Sequence, residues 1–203
     1  MKALLIIAMV LVGFLAADSD YGYDRDDRRG YSDRGSYNYD RDRDDRYGDR
    51  NRYPKRGVAP ATDKFYEKEC SSCHFAYQPG LLPERSWVKL MNGLENHFGT
   101  DATLEPEDNK KILNYLVDNS ADKFRNYKRS KKIDNSIARN ETPIAVTDTR
   151  YFEQKHREIS RKLITQKDVG SLANCMACHK TADRGSYSER DINIPNYGRW
   201  DDD

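Results

Sequence analysis

The pattern of hydrophobic and polar positions divides this chain into three parts. Residues 3–15 form an apolar run, and residues 18–57 contain no Ala, Val, Leu, Ile, Met, Phe, Trp or Cys. From about residue 59 to residue 200, aliphatic residues return at the three-to-four-residue spacing of helices, without the two-residue alternation of a strand. The pattern predicts a mainly α-helical domain over residues 58–203, preceded by two segments of different character.

The first part has the features of a secretory signal peptide. Lys2 gives a short positive start, residues 3–15 are apolar, and Ala16 and Ala17 offer a small-residue cleavage site. The apolar run is short for a membrane span. We therefore predict that residues 1–17 are cleaved on export, and retention as an uncleaved membrane anchor is the alternative.

The second part, residues 18–57, is a polyampholyte in which Asp and Arg alternate in nearly equal number among Tyr and Gly. Such a segment cannot bury enough apolar surface to offset the entropy of ordering, so we predict that it is disordered. A solvated spacer is one interpretation of its role, and self-association or envelope attachment through stacked Arg and Tyr is another. Because the Asp residues cancel the positive charge that phosphate binding requires, we expect no nucleic-acid partner.

Within the third part, the segment SWVKLMNGLENHFG carries a stripe of apolar residues at helical spacing. Pro83 near its start and Gly99 after its end predict the boundaries of one helix. The stripe consists of Trp87, Leu90, Met91, Leu94, His97 and Phe98. The pattern therefore predicts that His97 projects from the apolar face of a helix.

Two further segments have local helix signals. In LEPEDNKKILNYLVDN, Pro106 comes early in the predicted helix, and Ile112 and Leu116 share a face. In TRYFEQKHREIS, Thr149 is a predicted N-cap. The apolar face of that helix consists of Phe152, His156 and Ile159. A second histidine thus faces a predicted core.

The pentapeptides CSSCH at residues 70–74 and CMACH at residues 175–179 contain all four cysteines and two of the four histidines. C-x-x-C-H is the covalent attachment signature of a c-type haem, in which two thiols bind the macrocycle and the following histidine coordinates the iron. The cysteines are Cys70, Cys73, Cys175 and Cys178, and the histidines are His74 and His179. Two such motifs predict two covalently bound haems.

Three other interpretations of the cysteines remain open at this point. Two disulfides are the default for four thiols in an oxidising compartment, but cysteines three residues apart close a tiny loop that constrains little of the unfolded chain. A four-cysteine zinc site or a thiol redox centre would not explain a histidine after each pair.

The two remaining histidines, His97 and His156, match the sixth coordination positions of two haem irons. His97 lies as far after His74 as His156 lies before His179, which suggests local pairing, although crossed pairing stays open. Met91 is the competing ligand, but its place in the apolar stripe favours a core role. Two irons with two histidines each have no open position for a substrate, so the count favours an electron carrier over an enzyme.

Several of these motifs, in this order, resemble the bacterial dihaem cytochrome c family over roughly residues 62–195. They are CSSCH, the helix ending in ENHFG, ATLEP with ILNYL, TRYFEQKHREI, and SLANCMACHKTADRGSY continuing to INIP. The resemblance implies a compact helical domain, two c-type haems with bis-histidine ligation at His74, His97, His156 and His179, and electron exchange with other redox proteins. It also implies a periplasmic location, with no small-molecule substrate and no catalytic residue. A dihaem peroxidase or reductase with one open iron is the alternative function.

The segment DKFRNYKRSKKIDNSIAR is rich in Lys and Arg. We interpret it as a solvated loop. A basic surface beside haem propionates, or a docking patch for an acidic partner, is the alternative.

Overall fold

Helices dominate residues 57–200, the part of the chain that a computed structural model describes. The α-helices are α1 (Lys64–Cys70), α2 (Glu84–Met91), α3 (Pro106–Asp118), α4 (Lys128–Ser136), α5 (Arg150–His156), α6 (Arg161–Thr165) and α7 (Cys175–Cys178). Short 3-10 turns cover Pro79–Leu81, Leu94–Asn96, Val146–Asp148, Ala182–Arg184 and Glu189–Asp191, and β1 (Asn193–Ile194) pairs antiparallel with β2 (Gly198–Arg199). The predicted signal peptide and residues 18–56 of the predicted tail lie outside the described residues.

The mainly helical fold is confirmed, and two of its helices begin where local signals place them. Pro106 is the first residue of α3, where its missing N–H costs nothing, and the first turn carries two acidic residues that suit the helix dipole. Thr149 caps α5, and its hydroxyl accepts a hydrogen bond from the Phe152 amide at 3.3 Å. None of the described helices is long and apolar enough to cross a membrane.

One apolar cluster lies between α1, α2 and α3. Its buried members are Tyr66, Leu82, Trp87, Met91, Leu94, Ile112 and Leu116. Ile112 and Leu116 are each 1% exposed, as the helical stripe of α3 predicts. Met91 is 4% exposed within this cluster, which agrees with the core role that its stripe favours.

The prediction of one helix from Pro83 to Gly99 is wrong at its C-terminal end. α2 ends at Met91, Gly93 lies two residues further on, and His97 lies outside the helix. Glycine in a helix interior costs about 1 kcal/mol relative to alanine. The His97 amide donates to the Thr100 carbonyl at 2.8 Å, and this non-helical bridge replaces the expected helical turn.

A second apolar cluster joins α4 to the segment around the second pentapeptide. Its buried members are Val58, Leu81, Ile133, Ile137, Ala182 and Tyr187. The interpretation of the basic segment as a solvated loop is therefore wrong, because residues 128–136 form α4 and bury Ser130 and Ile133. Lys and Arg are good helix formers, and Ile133 packs this helix into the second apolar cluster.

The start of the described chain crosses the segment that follows the second pentapeptide. The Val58 amide donates to the Gly185 carbonyl at 3.0 Å. Gly185 has a φ of +75°, and a Cβ built on it would lie 2.4 Å from the Val58 carbonyl oxygen. Only glycine permits this approach, so the crossing fixes the N-terminal edge of the domain against the second pentapeptide.

Candidate haem-binding sites

The first pentapeptide begins at the end of α1, whose last residue is Cys70. Asp63 caps the start of this helix by accepting hydrogen bonds from two backbone amides at 2.8 and 2.9 Å. Cys73 and His74 follow on an exposed turn. The ring of His97 lies opposite His74, with 6.1 Å between the ring centroids and 28° between the ring planes.

The second pentapeptide forms α7 and the residue that follows it. Cys175 begins the helix, Cys178 ends it, and His179 is the C-cap. His156 is the last residue of α5, and its ring lies 6.2 Å from that of His179 between centroids, with the planes at 75°. The structure thus brings the four histidines together as two local pairs.

The spacing within each pair suits one shared metal ion. Bonds of about 2 Å from a metal to two opposite imidazole nitrogens would separate the ring centroids by roughly 6 Å. The pairs of 6.1 Å and 6.2 Å have this separation. Each pair can therefore provide two axial ligands to one iron.

Hydrogen bonds at Nδ1 fix the tautomer of two of these rings. His74 Nδ1 lies 2.8 Å from the Phe75 carbonyl oxygen, and His156 Nδ1 lies 2.8 Å from the Phe152 carbonyl oxygen. When Nδ1–H donates to a carbonyl, Nε2 keeps its lone pair for a metal, and the bond raises the basicity of the ligand.

Burial favours the neutral form of three of the four imidazoles. Burial, and next the neighbouring His74, lower the pKa of His97. Burial is also the main cause that lowers the pKa of His156, and burial with His156 and Arg129 lowers the pKa of His179 to about 4. Neutral imidazole is the form that binds a metal.

A cavity of about 1160 Å³, counted with its open mouth, lies beside the second pair. Cys175, Cys178, His156 and His179 line it, and most of the other lining residues are apolar. Ligand pockets of mainly apolar lining with a few placed polar groups are typical of cofactor sites. The cavity fits a flat apolar macrocycle that is attached to two cysteines and ligated by two imidazoles.

The thiols differ from those of a thiol redox centre. All four cysteines are free, and burial raises the pKa of Cys70 and of Cys175 to about 11 in each case. Redox-active cysteines have lowered pKa values, because the thiolate is the reactive form. No group of three or more Cys, His, Asp or Glu residues within residues 57–200 converges as a zinc site would require.

Tyr77 connects the two sites and was not found by sequence reasoning. Its ring lies 5.1 Å from the His74 ring between centroids. Its hydroxyl donates to the Ala173 carbonyl at 2.5 Å, and the same carbonyl accepts a hydrogen bond from the Cys175 amide at 3.0 Å. One side chain therefore contacts the His74 ring and positions the start of the second pentapeptide.

Gln78 and Tyr187 form a second connection. The Tyr187 hydroxyl donates to Gln78 Oε1 at 2.6 Å, and Gln78 Nε2 donates to the Ala182 carbonyl at 2.6 Å. The Tyr187 ring meets the His179 ring edge-on at 5.4 Å between centroids. The partners lie about a hundred residues apart in the chain, so no local pattern marks them.

Comparison with known proteins agrees with this arrangement. The family model described as Dihaem cytochrome c matches residues 66–187, which include both pentapeptides and both histidine pairs. A solved diheme cytochrome type c from Shewanella baltica OS155 is 36% identical, with a TM-score of 0.56, and the match covers 68% of this chain and 97% of that one. A solved diheme cytochrome c from Rhodobacter sphaeroides is 37% identical, with a TM-score of 0.57, and the match covers 64% of this chain and 100% of that one. No curated protein matches the chain.

Proposed function

The chain belongs to the dihaem cytochrome c family, and on this premise we propose that it transfers electrons between redox proteins through two bis-histidine haems. Two c-type haems and a role in electron transfer follow from the family. The proposed thioether attachments are Cys70, Cys73, Cys175 and Cys178. The proposed axial ligands are His74 with His97, and His156 with His179.

The observation that carries this proposal is the presence of two imidazole pairs at 6.1 and 6.2 Å between centroids. An iron with an imidazole on each face has six ligands and no free position for oxygen, peroxide or another substrate. Such an iron exchanges electrons without binding a substrate. The pairing therefore supports an electron carrier over a dihaem peroxidase or reductase.

When bound, the two haems would supply iron that alternates between its ferric and ferrous states. The chain contributes ligands of fixed orientation, since the Nδ1 bonds to the Phe75 and Phe152 carbonyls hold the rings of His74 and His156. The apolar walls of the second cavity limit access of water, which sets the local dielectric and hence the reduction potential. Imidazole in place of a methionine thioether favours low potentials at both sites.

The test is optical and low-temperature EPR spectroscopy of the mature holoprotein and of His97→Ala and His156→Ala. We expect two low-spin haems per chain, and we expect each substitution to convert one haem, a different one in each variant, to high spin. Met91→Leu is the matched control, because it removes the competing thioether with little change of core volume. Both haems should stay low-spin in this control.

A high-spin haem in the unmodified protein, or rapid binding of carbon monoxide or cyanide, would contradict bis-histidine ligation and favour the peroxidase or reductase alternative. A high-spin haem in Met91→Leu would move one axial role from histidine to Met91.

We also propose that the protein is exported to the periplasm after cleavage of residues 1–17, because that segment has the organisation of a signal peptide. Mass spectrometry of the purified protein should give a mass that begins at residue 18. An intact residue 1 in a membrane fraction would instead support the uncleaved anchor.

Comparing membrane fractionation and oligomer size with and without residues 18–57 tests whether the tail attaches the protein to the envelope or to other copies.

A further inference from the structure

Three charged side chains line the cavity of the second site: Arg129, Lys155 and Glu189. Lys155 Nζ lies 3.0 Å from Glu189 Oε1, so these two form an ion pair. Within residues 57–200, Arg129 has no carboxylate partner. The lining of the cavity therefore has one positive charge that no carboxylate of residues 57–200 balances.

Arg129 is held firmly by neutral groups. Its Nη1 donates to the Tyr151 hydroxyl at 2.9 Å, and its Nη2 donates to the Tyr187 carbonyl at 3.0 Å. Its Nε is buried and has no hydrogen-bond partner. A guanidinium offers five N–H donors, so this side chain keeps donor capacity at the cavity.

Arg129 lines the same cavity as both histidines of the second site, His156 and His179. Its partner Tyr187 meets the His179 ring edge-on at 5.4 Å between centroids. The guanidinium therefore lies close to the position between the two imidazoles. Charged side chains are rarely buried in proteins without a partner of opposite charge.

We propose that Arg129 binds a propionate carboxylate of the haem attached to the second pentapeptide and raises the reduction potential of that haem. The inference rests on the proposed function, because attachment at Cys175 and Cys178 places the macrocycle and its two carboxylates in this cavity. Arginine suits the role, since its planar fork matches a carboxylate and stays charged at every working pH. A positive charge near an iron favours the ferrous form, which has one positive charge fewer than the ferric form.

The test compares the holoprotein with Arg129→Gln and Arg129→Lys. Haem content comes from the pyridine haemochrome, both reduction potentials come from optical redox titration, and the contacts of the propionates come from their bending bands in the resonance Raman spectrum. For Arg129→Gln we expect two low-spin haems, a shifted propionate band, and a lower potential at the haem that His156→Ala makes high-spin. Loss of one unit charge should change the ratio of ferrous to ferric iron in this haem, at fixed potential, on the order of tenfold. For a one-electron couple this change corresponds to a shift of about 59 mV in the reduction potential.

Arg129→Lys and Tyr151→Phe separate the effect of the charge from that of the packing. Arg129→Lys keeps the charge without the planar fork. The reduction potential of this haem should therefore stay near that of the unmodified protein, while the propionate band shifts. Tyr151→Phe removes the tyrosine partner of the guanidinium and keeps the charge, so the potential should stay near that of the unmodified protein. Arg125→Gln is the matched control, because Arg125 lies on the same segment but pairs with Asp134 away from the cavity.

Unchanged potentials and an unchanged propionate band in an Arg129→Gln protein with two low-spin haems would overturn the proposal and leave the electron-transfer function intact. The proposal would also be overturned if Tyr151→Phe shifted the reduction potential as much as Arg129→Gln does, because Arg129 would then act by packing alone. If Arg129→Gln loses its second haem, Arg129→Lys decides: a propionate band identical to that of the unmodified protein would refute the contact. A native high-spin haem would refute the proposed function itself.

Discussion

The buried hydrogen bond between Gln78 and Tyr187 should stabilise the fold by connecting the segments that follow the two pentapeptides. Gln78 is fully buried, at 0% exposure, and Tyr187 is 9% exposed. The hydroxyl of Tyr187 donates to Gln78 Oε1 at 2.6 Å. The amide nitrogen of Gln78 donates to the carbonyls of Ala182 at 2.6 Å and Asp183 at 3.2 Å.

Tyr187→Phe keeps the ring against His179 and removes only the hydroxyl. The substitution leaves Gln78 Oε1 buried without a donor, and an unsatisfied buried polar group costs about 1–3 kcal/mol. Gln78→Leu keeps a similar volume but leaves the Tyr187 hydroxyl without an acceptor and removes the amide bonds to the Ala182 and Asp183 carbonyls, of which Ala182 keeps the Gly185 amide at 2.9 Å. We therefore expect Gln78→Leu to reduce the free energy of unfolding more than Tyr187→Phe does.

The double variant distinguishes a coupled pair from two independent sites. Once Gln78 is replaced by leucine, the Tyr187 hydroxyl has no acceptor, so its removal costs little or is favourable. The two changes should then be non-additive by about 0.5–3 kcal/mol, the range for residues in direct contact.

The assay is equilibrium unfolding of the holoproteins in guanidinium chloride, followed by far-UV and Soret circular dichroism. Because the haems are covalently attached, they stay with the chain in both states, and variants can be compared directly. We expect lower midpoints with an unchanged dependence on denaturant. Tyr115→Phe is the control, since its hydroxyl accepts an exposed hydrogen bond from the Thr62 amide at 2.8 Å and should cost less. A Tyr187→Phe protein as stable as the unmodified one, or an additive double variant, would refute the reasoning.

Three further predictions concern the connection between the sites and the haems themselves. Tyr77→Phe removes the hydrogen bond to the Ala173 carbonyl, so we expect about 0.5–1.5 kcal/mol less stability by denaturant unfolding with both haems still low-spin; an unchanged midpoint would argue against this contact. Gly185→Ala should destabilise the domain by about 1 kcal/mol or more in the same assay, because φ is +75° and the new Cβ would lie 2.4 Å from the Val58 carbonyl oxygen; equal stability would show that the crossing relaxes. Replacing all four cysteines with alanine should leave a poorly folded chain, since the apolar cavity walls lose their contents; near-native helicity by circular dichroism would contradict this.

Sequence alone predicted the features that depend on local signals. Pro106 and Thr149 marked the starts of α3 and α5 because each acts within its own first turn. The two C-x-x-C-H units predicted the cofactors because attachment and proximal ligation are contained within five residues. Features of this kind need no knowledge of what packs against them.

Other features depend on contacts that a local pattern does not contain. The basic segment was interpreted as a loop because its composition is polar, and only the packing of Ile133 and Ile137 in the second apolar cluster makes α4 part of the core. Likewise Arg129 is one of several basic residues in the sequence. Its distinction is that it lines the cavity without an acidic partner in the part of the chain that the structure describes, which only the fold reveals.

His97 and His156 illustrate the same difference within one prediction. His156 is the last residue of α5, and its Nδ1 lies 2.8 Å from the carbonyl four residues earlier, so helical periodicity described its place. The same pattern was wrong for Ile159, because the helix has ended before that residue. His97 reaches His74 by another route, because α2 has already ended and a reversal follows in which Phe98 has a φ of +52° and Gly99 of +87°. The apolar stripe thus selected the residue that the structure brings beside His74 but assigned it the wrong backbone. What supported His97 was the number of histidines available for two irons, and the EPR spectrum of His97→Ala tests that count without reference to the helix.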